Sequence, residues 1–220
     1  MSSLYKYMSL NNLTRLLDII CYHQLYAPTI KELNDVKEGS MKFSSSISDD
    51  DKADVKKKLY KQTYIVCTTD KGCPFDGHMF AIYGDSHKGC CLKFKVTSKL
   101  KTTKGGITPW IKKKVKYKND LPLINKNDNN TIADILTVKS QQWSDESEIR
   151  YIKTIKKGQD RPFLKIKLEG VYFGVNVSKK DFRIYSTFIK AFAEFQKKKI
   201  EIRHLTNKEI DFGFGGTRSL

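Results

Sequence analysis

Trp143-Ser144-Asp145-Glu146-Ser147-Glu148-Ile149-Arg150 runs on into Tyr151-Ile152-Lys153-Thr154-Ile155, and this stretch decides the fold. Between 148 and 155 polar and apolar side chains alternate, the two-residue period of a strand with one face turned inward. Downstream, 163–168 and 171–177 read as two more strands, and 200–204 as a final one. Before that last strand, 179–198 reads as a long helix on which Phe188, Phe192 and Phe195 share a face. Neighbouring strands with no crossover helix between them pair antiparallel. The predicted class is therefore α+β, a mixed, mostly antiparallel sheet flanked by helices.

Upstream, Leu4-Tyr5-Lys6-Tyr7 is β-prone. Leu10, Leu13, Leu16, Leu17 and Ile20 then recur at helical spacing behind Ser9, a residue suited to cap a helix over 10–21. A short strand is expected at 25–28 and a loop at 32–35. Residues 44–54 are polar and acidic and predict a mobile loop or a short solvent-facing helix before a strand at 63–69. The run 75–83 leads through a turn-rich segment into a strand at 90–96. From 97 to 130 Lys, Asn and Gly dominate around one brief strand near Val115-Lys116-Tyr117, so flexible basic loops are expected there. Residues 131–139 read as helix. A single domain over 1–220 is the expectation for a chain of this length with 39% hydrophobic residues.

Apolar runs such as Leu16-Leu17-Asp18-Ile19-Ile20-Cys21 are far shorter than the roughly 20 residues of a bilayer span. The first ten residues show no secretory signal, so no membrane association and a cytoplasmic location are expected. Five cysteines, an odd number with Cys90 and Cys91 adjacent, do not suit a disulfide framework and predict reduced thiols. The net charge of +17, from 41 Lys and Arg against 24 Asp and Glu, is almost entirely a lysine surplus. Such a field draws polyanions, nucleic acid first among them, while a solvated basic surface reads equally well.

On a strand, residues two apart point to one face, so Glu146, Glu148 and Arg150 are predicted to form one row. Carboxylates paired in this way divide labour. One is held ionised by the arginine while the other orients a hydroxyl or stabilises a developing cation. An exposed, salt-bridged row explains the same spacing. In Tyr83-Gly84-Asp85-Ser86-His87-Lys88-Gly89 the two glycines permit a tight path with backbone N–H groups turned outward, able to hold a phosphate beside Tyr83, His87 and Lys88. A helix cap with Tyr83 in the core is the plainer reading. Cys73, His78, His87 and Cys90 have a superficially zinc-like spacing but lack Cys-x-x-Cys or His-x-x-x-His geometry, so no metal is assigned. Cys67 or Cys90 with His87 as base lacks a surrounding signature. The glycine-rich Phe212-Gly213-Phe214-Gly215-Gly216 follows no phosphate-binding pattern.

Taken in order, Leu4-Tyr5-Lys6-Tyr7, Leu33-Asn34-Asp35, Tyr83-Gly84 with His87-Lys88-Gly89-Cys90, Tyr117, and Lys139 followed by Trp143, Glu146, Glu148 and Arg150 resemble the motifs of the bacterial domain of unknown function 2971 family. The resemblance runs over about 4–177. It departs at Phe80, where members often carry tryptophan, and at Val36-Lys37, where Pro-Phe is usual. The layout, with a late strand bearing Glu-x-Glu, is similar to that of ADP-ribosyltransferases, including toxins that modify DNA. That similarity implies cleavage of NAD and transfer of ADP-ribose to a nucleic-acid or protein acceptor, in a toxin or phage-defence role. It implies Glu148 and Glu146 as catalytic, Tyr5 or Lys6 near NAD, Tyr83 stacked on nicotinamide with His87 beside it, and Lys88 and Arg150 on the pyrophosphate.

Two other readings stand beside this one. A non-catalytic basic nucleic-acid-binding protein rests on the lysine surplus and the aromatic content. Phosphodiester hydrolysis by the carboxylates with a divalent ion lacks an accompanying Asp-rich or His-rich cluster. Lys101, Lys104 and the lysines of 112–118 surrounding the Glu148 face would favour an enzyme acting on nucleic acid, and the same lysines on the opposite face would favour a structural role for the acidic row.

Overall fold

The computed structural model describes residues 2–71, 74–98, 100, 109–128 and 130–210. Along the chain run β1 (Leu4–Met8), α1 (Leu13–Tyr22), β2 (Gln24–Tyr26), β3 (Lys42–Phe43), α2 (Asp49–Lys61), β4 (Thr63–Thr69), α3 (Gly77–Tyr83), β5 (Cys90–Val96) and β6 (Ile111–Lys114). They are followed by β7 (Lys116–Tyr117), β8 (Leu123–Ile124), α4 (Thr131–Ile135), β9 (Val138–Lys139), β10 (Glu148–Thr154), β11 (Phe163–Phe173), α5 (Lys179–Phe195) and β12 (Glu201–His204), with 3-10 turns at Ile30–Glu32 and Gln141–Glu146. Cys73, Lys101, Lys104 and the glycine-rich stretch from Phe212 lie outside the described residues. No helix among the described residues is long and apolar enough to cross a membrane.

The chain divides into two compact units. The first draws on residues within 1–24, 70–96 and from 165 onward, the second on residues within 25–69 and 97–164. Both are α+β with mostly antiparallel strands flanked by helices, the class read from the sequence.

In the first unit the strands lie in the order β12, β11, β5, β1. β1 and β5 are antiparallel, with Leu4 opposite Phe94 and Met8 opposite Cys90. β11 is one strand where the sequence suggested two, because a bulge between Leu168 and Gly170 absorbs the break in alternation. β12 runs parallel to β11, and α5 is the crossover such a pair requires. The cap of α1 is Asn12, whose side chain accepts from the Arg15 N–H, while Ser9 Oγ donates to Asp85. On α5 the buried residues are Ser186, Ile189 and Ala193. Phe188, Phe192 and Phe195 do share a face, with ring centroids 6.3 and 6.1 Å apart, but it is not the buried one: Phe195 is 83% exposed.

In the second unit the order is β4, β10, β6, all antiparallel, with Arg150 opposite both Cys67 and Lys113. Of the stretch 44–54 expected as a loop or short exposed helix, 49–54 open α2, 13 residues long, and 44–48 precede it. Ser48 caps it, Asp49, Asp50 and Asp51 occupy the first turn and Lys58 and Lys61 the last, the polarity that suits the helix dipole. Val55 and Leu59, four apart, are fully buried in a cluster with Ile65, Ile135, Leu136 and Ile152. That apolar pair anchors the helix despite its charged surroundings.

Candidate functional site

Arg150 lies in the middle of β10, 1% exposed. Its Nε donates to Glu148 Oε1 at 3.0 Å and its Nη2 to Glu148 Oε2 at 2.9 Å. Nη1 donates to Glu38 Oε2 at 2.7 Å and to the Leu136 carbonyl at 2.8 Å, and Nη2 also reaches Glu38 Oε1. Every N–H of the guanidinium thus has an acceptor. The pyrophosphate contact expected of Arg150 does not match this geometry: the group is turned inward and saturated, and it holds two carboxylates in place.

Lys139, at the end of β9, completes the cluster. Its Nζ donates to Glu146 Oε2 at 2.6 Å and lies 3.5 Å from Glu148 Oε2. The same ammonium sits 4.8 Å from the centre of the Trp143 ring, a cation–π contact. The Trp143 indole nitrogen is buried without a hydrogen-bond partner among the described residues. Tyr117 on β7 accepts the Glu148 backbone N–H through its hydroxyl at 2.8 Å.

Glu146 and Glu148 do come together, although not as neighbours on one strand. Glu146 ends the 3-10 turn and β10 begins at Glu148. Between them Ser147 is left-handed, with φ 45°. That residue breaks the alternation, and both carboxylates reach Lys139 because the chain kinks. Their residues are 3% and 5% exposed, so the row is buried rather than solvent-facing.

Burial alone raises the pKa of Glu148, but the adjoining Arg150 and Lys139 outweigh it and hold the carboxyl at about 2. Burial pushes Lys139 down, and Glu148 and Glu146 more than restore it, leaving it above its ordinary value. Burial raises Tyr117 to about 12. At neutral pH Glu148 is an ion and Tyr117 is protonated.

Sequence reasoning missed Glu38, which is 112 residues from Arg150 and carries no local signal. The glycine after it is informative in retrospect. Gly39 has φ +74°, and a Cβ there would approach Ile30 Cδ1 to 2.2 Å, so a side chain next to Glu38 would strain the backbone and displace Ile30.

The other expected residues belong to the first unit. Tyr5, on β1, is buried in a cluster with Tyr7, Met79, Phe80, Cys91 and Tyr172, and Tyr83 packs against the same cluster. Lys6 alternates to the other face of β1, opposite Leu92. His87 stacks on Phe80 with centroids 5.7 Å apart, and burial lowers its pKa. Lys88 is exposed. The turn does not offer its N–H groups outward as expected. Those of Ser86, His87, Lys88 and Gly89 donate to the carbonyls of Ala81, Phe80, Asp85 and Gly84. Three successive left-handed residues, Asp85, Ser86 and His87, wind them inward. Cys90, fully buried with its thiol pushed up to about 12, is a core residue and not a nucleophile.

Of the residues on which the family resemblance was drawn, Tyr117, Lys139, Trp143, Glu146, Glu148 and Arg150 meet in one place, whereas those of 4–7 and 83–90 belong to the first unit. Residues 79–151 match the model of a family described as protein of unknown function (DUF2971). The DUF2971-like segment begins with Met79 in α3 and ends with Tyr151 in β10, shorter than the 4–177 expected, and leaves Tyr5, Lys6, Glu38 and Cys67 outside it. No curated protein and no solved structure matches the chain.

Proposed function

We propose that the buried carboxylate cluster of the second unit is the centre of an ADP-ribosyltransferase-like reaction with NAD as substrate. The observation that carries this reading is the convergence of Glu146 and Glu148 on one ammonium, at 2.6 and 3.5 Å from Lys139 Nζ. With Glu38 the cluster sets three carboxylates against two cations, a local excess of negative charge inside a chain of net charge +17. Such a site favours a positive charge developing beside it.

In this reaction the bond between nicotinamide nitrogen and ribose carbon breaks, and its electron pair leaves with nicotinamide. Glu148, ionised across the physiological range, offsets the oxocarbenium-like charge left on the ribose. A nucleophile on nucleic acid or protein then bonds to that carbon, and its proton passes to Glu146. Arg150 and Glu38 are positioning residues, because they fix the Glu148 carboxylate and touch no reacting atom. The 3-10 turn Gln141–Glu146 carries Glu146 at its end and lies at the surface, with Gln141, Gln142 and Asp145 exposed, so it is the segment nearest the two acids that a substrate meets first.

The test is nicotinamide release from NAD by the full chain, with and without added single-stranded nucleic acid or protein. Wild type is expected to release nicotinamide, and Glu148→Gln to lose about 100-fold or more of that rate, the scale of removing one electrostatic stabiliser. No release by folded wild type under any acceptor overturns the reading and leaves the cluster as a structural ion network.

A further inference from the structure

The stretch 111–118 reads Ile-Lys-Lys-Lys-Val-Lys-Tyr-Lys. It is extended along β6 and β7, bonded first to β10, where Lys114 lies opposite Ile149 and the Val115 N–H donates to the Glu148 carbonyl. It then bonds to β9, where the N–H groups of Lys116 and Lys118 donate to the carbonyls of Thr137 and Lys139. Burial alternates along it. Ile111, Lys113, Val115 and Tyr117 turn inward, whereas Lys112, Lys114, Lys116 and Lys118 are exposed. Residues directly opposite in an antiparallel pair share a face, so Lys113 projects on the side of Arg150 and Glu148. The exposed lysines of β6 therefore project on the other side. Four ammonium groups recur every second residue, roughly 6.6 Å apart along a strand.

An open depression of about 330 Å³ adjoins the end of this row, lined by Lys116, Lys118, Pro122, Leu123, Asp120 and Asp134 among others. Leu123 is 64% exposed there, and Lys113 bridges to Asp134 at 2.5 Å. Ammonium groups, an apolar floor and carboxylate acceptors in one place match, in turn, a phosphate, the face of a base and the amino groups on its edge.

We infer that this lysine row is a track for single-stranded nucleic acid, with the depression beside Lys116 and Lys118 taking one base. A lipid headgroup layer would use the charge but not a recess with acidic acceptors. A rigid duplex would keep its bases from the recess. Lys112 and Lys114 project from the face of β6 opposite to Arg150 and Glu148, and the measurements below read the track separately from the catalytic reading.

Fluorescence anisotropy of a labelled oligodeoxycytidylate, whose bases carry an amino group, tests it with the full chain over a series of salt concentrations. The double variant Lys116→Gln, Lys118→Gln is expected to bind at least tenfold more weakly, with the log–log salt slope reduced by about 1.4, near 0.7 for each phosphate no longer neutralised. The equal-charge control Lys179→Gln, Lys180→Gln, on α5, is expected to change affinity less than twofold. Leu123→Ser is expected to weaken the oligonucleotide several-fold while leaving inorganic polyphosphate unchanged. Equal losses in the two double variants, an unaltered affinity in Leu123→Ser, or binding to phosphatidylserine vesicles without binding to the oligonucleotide overturns the inference. Acceptor-free nicotinamide release is expected to be the same in the lysine variants as in wild type, so this inference and the catalytic one fail separately.

Discussion

Arg150 grips both oxygens of Glu148, at 3.0 and 2.9 Å, from a position two residues along the same strand. A fork of this kind has a geometry that a single ammonium does not reproduce. Arg150→Met is accordingly expected to destabilise the chain by about 3 kcal/mol or more, because it leaves Glu38 buried without these bonds and Glu148 facing only Lys139, and Arg150→Lys nearly as much, because one ammonium cannot reproduce the five bonds of the fork. Urea unfolding followed by circular dichroism measures it, and a near-wild-type Arg150→Lys contradicts the account.

The acid limb of stability follows from Glu148. Its pKa is 4.5 in the unfolded reference and about 2 in the fold. A carboxyl depressed on folding contributes fully above its unfolded value and loses that contribution as pH falls toward its folded value. Stability is therefore expected to fall between pH 4.5 and 2, by about 3 kcal/mol from this group. Glu148→Gln should flatten that limb, which urea midpoints at successive pH values would reveal.

Ser147 holds φ 45° between the two acids. Ser147→Gly is expected to be neutral or slightly stabilising, and Ser147→Val to cost about 1–2 kcal/mol, since a β-branched side chain is the worst fit to left-handed backbone. If the Val variant is as stable as the Gly variant, the kink is not what joins Glu146 to Glu148.

Capping offers a sharper contrast. Asn12→Ala is expected to cost about 1 kcal/mol, because it removes the acceptor of the Arg15 N–H at the start of α1. Ser9→Ala should cost less, as its hydroxyl serves a side chain and the Asn11 N–H outside the helix. The two thermal midpoints decide.

The aromatic face of α5 also has a measurable effect. Phe195→Ser is expected to raise the concentration at which the protein stays monodisperse by light scattering, with no loss of stability, because the ring is 83% exposed. A lowered thermal midpoint would show that the ring is covered in solution.

Much of the strand pattern was legible from apolar and β-branched runs: β4, β5 and β10 lie where 63–69, 90–96 and 148–155 placed them, although the first five residues of β10 are all buried, so its alternation does not mark one solvent face. α2 was obscured by its composition, since its two buried apolar residues, Val55 and Leu59, are set among aspartates and lysines and give little periodic signal. On α5 the shared face of Phe188, Phe192 and Phe195 was legible from spacing, but not which face is buried, because that one is built from Ser186, Ile189 and Ala193 with Phe182 and Tyr185 against Phe173. At the site, Glu146, Glu148 and Arg150 were visible as a spacing. Glu38 was not, because its partnership with Arg150 is made by tertiary folding across 112 positions. The inward winding of the 83–89 turn was equally hidden, as nothing in Asp85-Ser86-His87 announces three left-handed residues in a row.

The interleaving of the two units along the chain bears on how the protein is made. The first unit draws on three separated stretches and the second on two, which alternate along the polypeptide. Synthesis therefore cannot finish one unit before starting the other: 70–96 emerges from the ribosome in the middle of the second unit, and β1 and β5 wait for β11 until residues beyond 164 have been added. Throughout that interval the side of β5 that β11 later covers has no strand to pair with, the kind of open edge that invites pairing with another chain.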